Sequence, residues 1–199
     1  MSMTNTPYGL RAINRNDGMP YAGATSQFLI NPAGLASNLF FGQAVIINAD
    51  GYIALSTATG ADITTNNLGG SGVGAIGVFV GASYINAQGQ QIYGQYYPSG
   101  TTGVVTAYVV DDDRAVFQVQ ANGSLGQTAL GANVVFAAAQ TGSTTTGNST
   151  TAVSTTLAAT TTIAFKVVGF ASGPGDAFTD LLVKFNVGSH AYNTGLGVA

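Results

Sequence analysis

Few side chains in this sequence are of the types that catalyse reactions. His190 is the only histidine and there is no cysteine, so a nucleophile activated by an imidazole would depend on this one residue. No G-x-S-x-G turn presents a serine to it. A lone histidine close to Tyr192, near the end of the chain, is more typical of a packed or hydrogen-bonded side chain than of a general base. We therefore predict no catalytic residue and no enzymatic activity.

The densest cluster of charge consists of three consecutive carboxylates, Asp111, Asp112 and Asp113. Carboxylate oxygens are ligands that Ca²⁺ prefers, but the spacing and the distal glutamate of an EF-hand loop are missing here. Arg114 follows directly, and apolar runs flank the cluster on both sides, which is the pattern of a solvated turn. We predict no metal site and no cofactor, and the sequence leaves open whether this cluster binds a cation.

Two further patterns have both a chemical and a structural interpretation. Asp176 and Asp180 are four residues apart, and a pair of carboxylates is the machinery of glycoside hydrolysis. In a turn that precedes a strand, however, aspartates accept hydrogen bonds from backbone N–H groups, and no third group supports catalysis. The glycine-rich residues 69–74 lack the lysine and the strand-to-helix context of a phosphate-binding loop. Both patterns indicate turns.

Tyrosines give the strongest indication of binding. Tyr93, Tyr96 and Tyr97 crowd one short segment, and tyrosine is frequent at protein interfaces and on carbohydrate-binding surfaces. The same residues are also suited to packing one face of a strand into the core, so core, interface and sugar binding all stay open. Together with Arg11 and Arg15 near the N-terminus, these tyrosines are our candidates for contact with another protein.

The composition indicates a surface that other proteins cover. Only 7% of the residues are charged, against about 25% in an average protein. A surface of Asn, Gln, Ser, Thr and Gly needs little charge desolvation on contact. Five Lys and Arg residues are too few to neutralise many phosphates, so we predict no nucleic acid partner. No apolar run reaches the roughly 18 residues of a membrane span, and the first residues lack the apolar core of a secretory signal.

Frequent β-branched residues, glycines and threonines favour strands and turns over helices. Residues 48–51 and 86–89 each lie between apolar runs and have the Gly-containing composition of hairpin turns. We predict an all-β fold, either a β-sandwich or a jelly-roll-like β-barrel. The predicted strands are 27–31, 44–48, 52–57, 74–84, 91–97, 104–110, 115–120, 133–138, 163–170 and 181–187.

The strand rhythm indicates one domain, residues 21–199, with two small β subdomains as the alternative. Residues 1–20 carry few strand signals, and we predict an extended N-terminal tail there. Two stretches, near 58–72 and 140–162, are rich in Gly, Asn, Thr, Ser and Ala and predict long polar loops. These are either flexible loops or arms that become ordered against neighbouring subunits.

Seven stretches of the sequence form a recognisable pattern: PYGLRAINRNDGMPYAG, GAIGVFVGASY, QYYPSGT, AYVVDDDRAVFQVQANG, LGANV, TTTIAFKVVGF and GDAFTDLLVKFNVGSHAY. Together they resemble a family of tailed-bacteriophage virion proteins, the capsid decoration or cement proteins. The resemblance extends over nearly the whole chain. The family pattern supplies no catalytic residue or metal ligand to carry over, and it does not identify the contact residues.

The resemblance implies a β-rich subunit that binds the major capsid protein on the exterior of the virion. It also implies a homo-oligomer, with a trimer favoured, that is made in the cytoplasm of the bacterial host. A cement protein needs a rigid body and a low-charge surface, which agrees with the composition. Two rivals stay open: a tail or head-fibre module that binds host surface glycans, and a virion enzyme that degrades polysaccharide through its aspartates.

Overall fold

The computed structural model describes residues 4–56, 74–159 and 163–193, and its regular structure is almost entirely β. Two short 3₁₀ turns, Gln127–Ala129 and Ala191–Asn193, are the helical elements of the described residues. The predicted all-β fold is confirmed. The strands of the described residues are β1 (Arg11–Arg15), β2 (Ser26–Ile30), β3 (Leu39–Phe40), β4 (Ala44–Ile47), β5 (Ile53–Leu55), β6 (Gly77–Ile85), β7 (Gln91–Gly94), β8 (Tyr96–Tyr97), β9 (Val105–Val110), β10 (Ala115–Gln120), β11 (Asn133–Val134), β12 (Phe165–Phe170) and β13 (Asp180–Phe185).

Five strands close into a small barrel. They follow the order β4, β5, β2, β9 and β6, and β4 pairs with β6 again to complete the ring. Strand β7 pairs with the far half of β6 and extends the sheet beyond the barrel wall. The inward side chains fill the barrel with a dry core, which includes Ile30, Ile53, Phe79, Tyr97 and Val105. A barrel of this size is filled by side chains and has no central channel.

A second, antiparallel sheet packs against the outside of this barrel. Its order is β1, β10, β13, β12 and β11. Adjacent residues of the barrel wall contribute to different cores, since Phe79 points into the barrel while Val78 packs with Phe117 and Phe165 of the second sheet. A strand segment buried on both faces has a continuous apolar run, which explains the unbroken hydrophobicity of the first half of β6. The fold therefore combines a barrel with a sandwich.

Gly77 allows the barrel to close. It lies where β6 pairs with β4 on one side and with β9 on the other. A Cβ atom at this position would overlap the backbone carbonyl oxygen of Val110. Only glycine permits this approach without displacement of a strand.

Residues 4–20 differ from the predicted N-terminal tail. Arg11–Arg15 form an edge strand, β1, that pairs antiparallel with β10. Leu10 is only 1% exposed in the core between barrel and sheet, and its backbone N–H donates to Gly42 O at 2.9 Å. The segment predicted as an extended tail is therefore an edge strand of the second sheet, because burial of its own Leu10 and pairing with β10, which is distant in sequence, hold it in place.

The two predicted polar loops have different outcomes. The stretch near 58–72 lies outside the described residues. Residues 140–159 run along the sandwich edge through isolated bridges such as Asn133 to Ala158, and Val153 is completely buried. Gln140 is also buried: its side-chain oxygen accepts from the backbone N–H of Ala44, and its side-chain N–H donates to the backbone carbonyl oxygen of Ala44. This segment is therefore part of the body of the protein, held by buried polar contacts.

Candidate interaction surface

The outward side of strands β7, β6, β9 and β2 forms one continuous surface, which we call the barrel face. The register aligns Tyr93 with Ser83, Ser83 with Thr106, and Thr106 with Leu29. Side chains alternate along each strand, so every second residue joins this surface while its neighbour points inward. The barrel face consists of Gln27, Leu29, Ser83, Ile85, Gln91, Tyr93, Val104, Thr106 and Tyr108.

Large apolar side chains are exposed on the barrel face. Tyr93 is 72% exposed, Ile85 63%, Leu29 49% and Val104 75%. None of the described side chains on this face is charged: Gln27 and Leu29 are neutral, and the sequence between Asp62 and Asp111 contains no Asp, Glu, Lys or Arg. Contiguous exposed apolar surface of this kind marks a site of interaction.

The three candidate tyrosines have three different environments. Tyr93 belongs to the barrel face, and its hydroxyl accepts from the side-chain amide of Gln91 at 3.0 Å. Tyr96 is half-buried and stacks on Phe40 with ring centroids 5.8 Å apart. Tyr97 is fully buried in the barrel core, so it is excluded as an interface residue. Tyr93 thus remains as the exposed member of the group.

The Tyr97 hydroxyl illustrates why this residue is a core side chain. It accepts from the backbone N–H of Leu35 at 3.1 Å and donates to the carbonyl oxygen of Thr101 at 2.8 Å. Its hydrogen-bonding groups are satisfied inside the protein, which is the condition for burying a tyrosine.

A groove opens at one end of the barrel face. Its lining includes Gly81 and Gly94, which lack side chains, and the aromatic residues Phe41, Tyr93 and Tyr108. The groove has a volume of about 580 Å³. A lining that combines glycines with aromatic rings can accept a flat group that stacks on a ring.

The two candidate arginines are engaged within the protein. The Arg11 guanidinium lies 4.9 Å from the centre of the Tyr8 ring. Arg15 forms an ion pair with Asp112 at 2.9 Å and with Asp17 at 3.2 Å. Arg15 therefore ties β1 to the turn between β9 and β10, and a partner would compete with these contacts.

The carboxylates of the aspartate cluster after β9 accept several hydrogen bonds. Asp112 accepts from the backbone N–H of Arg114 at 2.9 Å, in addition to its ion pair with Arg15. Asp111 accepts from the Tyr192 hydroxyl at 3.0 Å. Across the described ranges, no three acidic or histidine side chains converge in a way that could hold a metal ion. The geometry at this point is that of a turn that anchors its neighbours.

His190 lies in the core and is not part of an open site. It has no exposed surface, and its ring packs against Phe185 with centroids 5.3 Å apart. Its Nδ1 accepts from the backbone N–H of Tyr192 at 3.3 Å. Burial lowers the pKa of His190, while the nearby carboxylates of Asp113, Asp111 and Asp112 act in the opposite direction. Burial thus favours the neutral form of the imidazole.

Asp176 and Asp180 have separate structural contacts. Asp176 accepts from the backbone N–H of Gly173 at 3.1 Å. Asp180 is buried at the start of β13 and accepts from the Tyr8 hydroxyl at 3.0 Å. Burial, together with this carboxylate, raises the pKa of Tyr8. Asp180 therefore helps to attach the N-terminal segment to the second sheet.

Comparison with protein-family models, with curated proteins and with solved structures finds no match to this chain. The described part of the chain also contains no helix that is long and apolar enough to cross a membrane. Functional inference consequently depends on the geometry of the surface and on the sequence.

Proposed function

We propose that this protein is a non-enzymatic decoration protein of a tailed-bacteriophage head, which binds the outer surface of the major capsid protein lattice and stabilises the shell. The observation that carries the proposal is the barrel face, with its exposed apolar side chains and, among the described residues, no charge. The resemblance to virion decoration proteins supports it, because two of the resembling stretches contribute β6 and β9 to this face.

Burial of the barrel face against a shell has a low desolvation cost. Its polar side chains are amides and hydroxyls, which can form neutral hydrogen bonds across an interface. The exposed apolar groups gain free energy on contact, about 25 cal/mol per Å² removed from water. Many copies on a symmetric lattice would add these gains together and resist pressure from within the head.

Two valines make a matched test of this role. Val104 lies on the barrel face and is 75% exposed, whereas Val187 lies after β13, outside the barrel face, and is 70% exposed. We expect Val104→Lys to weaken binding to purified heads by more than about tenfold, because an unpaired charge would be buried on contact. We expect Val187→Lys to bind like the native protein. Co-sedimentation with heads that lack the decoration protein measures both.

Equal loss of binding in the two variants would contradict the assignment of the barrel face, and a native protein that fails to bind heads would contradict the proposed function. Thermal unfolding of both variants is the control for folding, because each substitution replaces an exposed side chain.

A second candidate is a tail or head-fibre module that binds host surface glycans. The groove between Tyr93 and Tyr108 favours it, because aromatic walls stack on sugar rings and the adjacent Gln95 offers an amide. Tyr52 directly precedes β5 and does not line the groove, so it serves as the control. Binding of an uncharged glycan that is lost in Tyr108→Ala and retained in Tyr52→Ala would favour this role over capsid decoration.

A further inference from the structure

One edge of strand β7 is open in the described part of the chain. It pairs with β6 on one side, and none of the described residues forms a sheet pair with its other side. The register with β6 determines which backbone groups face outward. Asn86 N–H donates to Gln90 O, so these two residues form a hydrogen-bonded pair. Such pairs alternate with pairs that lack hydrogen bonds, so the next hydrogen-bonded pairs are Tyr84 with Ile92 and Ala82 with Gly94.

The backbone groups of Gln91 and Tyr93 therefore point away from β6. These two residues alternate with the hydrogen-bonded ones, so their N–H and C=O groups lie along the open edge. Tyr93 thus offers a ring on the barrel face and a donor and acceptor on the edge. An edge of this kind is a template for another strand.

This edge lacks most of the features by which exposed strands avoid pairing. Short length, charged side chains, proline and bulges are the usual protection. Residues 91–97 contain neither proline nor charge, and the pairing of β7 with β6 has no register shift. The strand is short, and the segment after it is attached to the body of the protein, since the Gln95 side-chain amide donates to Asn148 Oδ1 at 2.6 Å. The open stretch is centred on Ile92.

We propose that β7 pairs antiparallel with β7 of a second copy of this chain, about a two-fold axis at Ile92. Gln91 of each copy then lies opposite Tyr93 of the other, and each of these pairs exchanges both of its backbone hydrogen bonds. The backbone N–H and C=O groups on the open edge belong to Gln91 and Tyr93, which lie symmetrically about Ile92. A two-fold rotation therefore places donors opposite acceptors, and the edge is complementary to itself. An uncharged edge also meets its own copy without repulsion between like charges.

Side chains support the same arrangement. The two Tyr93 rings become diagonal neighbours on the barrel face, at a separation that aromatic side chains can span. Ile92 faces Ile92 of the second copy on the opposite side of the sheet. The two barrel faces join into one surface, so the pairing does not cover the residues that the proposed capsid contact uses. The inference does not depend on the capsid role.

Mass in solution is the first test. A two-fold pair has twice the 20.0 kDa of the chain, whereas the trimer that the resemblance implies would have three times this mass. Multi-angle light scattering should give the dimer for the native protein and for Val187→Lys. Tyr93→Lys should give the monomer, because a cation is placed on each side of the axis. A native monomer, a native trimer, or a dimer unaffected by Tyr93→Lys would overturn the proposal.

A disulfide tests the register itself. The chain has no cysteine, so a single Ile92→Cys substitution introduces the only thiol. Directly opposite residues in a pair without hydrogen bonds have Cα atoms about 4.5 Å apart, within the range of disulfides. We expect oxidised glutathione to convert Ile92→Cys into a covalent dimer at least tenfold faster than Val187→Cys. Equal rates would overturn the register. Failure to bind phage heads would leave both readouts unchanged, so the two proposals fail separately.

Discussion

Tyr93, Tyr96 and Tyr97 are close in sequence but differ in environment because the chain changes sheet between them. In β7 the side chains alternate, and Tyr93 falls on the outward side. Tyr96 and Tyr97 belong to β8, which pairs with β3 near one end of the barrel, so that Tyr96 packs on Phe40 and Tyr97 enters the core. The segment predicted as one strand, 91–97, is thus two strands with a break at Gln95.

At the same scale, His190 gives the protein a dependence on pH. Its pKa is lowered by burial in the folded state, whereas the unfolded chain takes up the proton near the ordinary value of about 6.5. The contribution of His190 to the free energy of unfolding is therefore fully present above about pH 6.5. It falls as the pH decreases below this value, by at most about 1.4 kcal/mol per pH unit for one proton.

We expect His190→Gln to flatten this dependence between pH 7.5 and 5.5. Urea unfolding at several pH values measures the free energy of unfolding of both proteins. Glutamine retains a polar side chain but does not titrate, so the remaining slope reports on the carboxylates alone. The same slope in the native protein and the variant would exclude His190 as the source.

At the scale of elements, the second sheet is completed by two segments that cover its sides. Strand β1 closes one side of β10, and residues 153–158 cover the opposite side of the sheet through bridges to β11 and its neighbours. Both covering segments have few strand signals in the sequence. These two segments are held in place by hydrogen bonds to the sheet and by a few buried residues such as Leu10 and Val153.

Deletion of residues 1–15 tests the role of β1. The expectation from sequence is that the deleted segment contributes little to stability, since it has the composition of a tail. The structure reverses this: loss of Leu10 and of the pairing with β10 should lower the free energy of unfolding by at least about 2 kcal/mol. Urea unfolding of the truncated protein gives the value. Unchanged stability would restore the interpretation as a tail, and Arg11→Ala alone should have little effect.

At the scale of the whole molecule, charge is distributed unevenly. Arg15, Asp17, Asp112 and Arg114 gather in one network beside β1. The two lysines of the chain lie directly opposite each other on β12 and β13, on the outward side of the second sheet. The described part of the barrel face has no charge. This uneven distribution agrees with the proposal that the barrel face contacts a partner and that the second sheet faces solvent.

Association through uncharged surfaces should be nearly independent of ionic strength. Screening by salt weakens contacts between charges, and few charges are available here. We expect the dissociation constant of the β7 pair to change by less than about threefold between 50 and 500 mM NaCl in sedimentation equilibrium. A loss of association over this range would indicate an interface at the arginine and aspartate network instead.

The sequence alone determined the class of fold and the character of the surface. β-branched residues, glycines and alternation of apolar with polar residues are local signals, and they placed most of the strands correctly within a few residues. The shortage of charge is a property of composition. It does not depend on how the chain folds, so the inference of a low-charge exterior needed no structure.

Only the tertiary structure decided which residues form the candidate surface. Leu29, Ile85 and Val104 are far apart in the sequence. A single apolar residue in a strand is as typical of the core as of an exposed surface, so the sequence does not distinguish the two. Their exposure follows from the closure of the barrel, which assigns one side of each strand to the interior and leaves the other open. Closure depends on pairing between distant strands and on the close approach at Gly77, and neither is encoded in any local pattern.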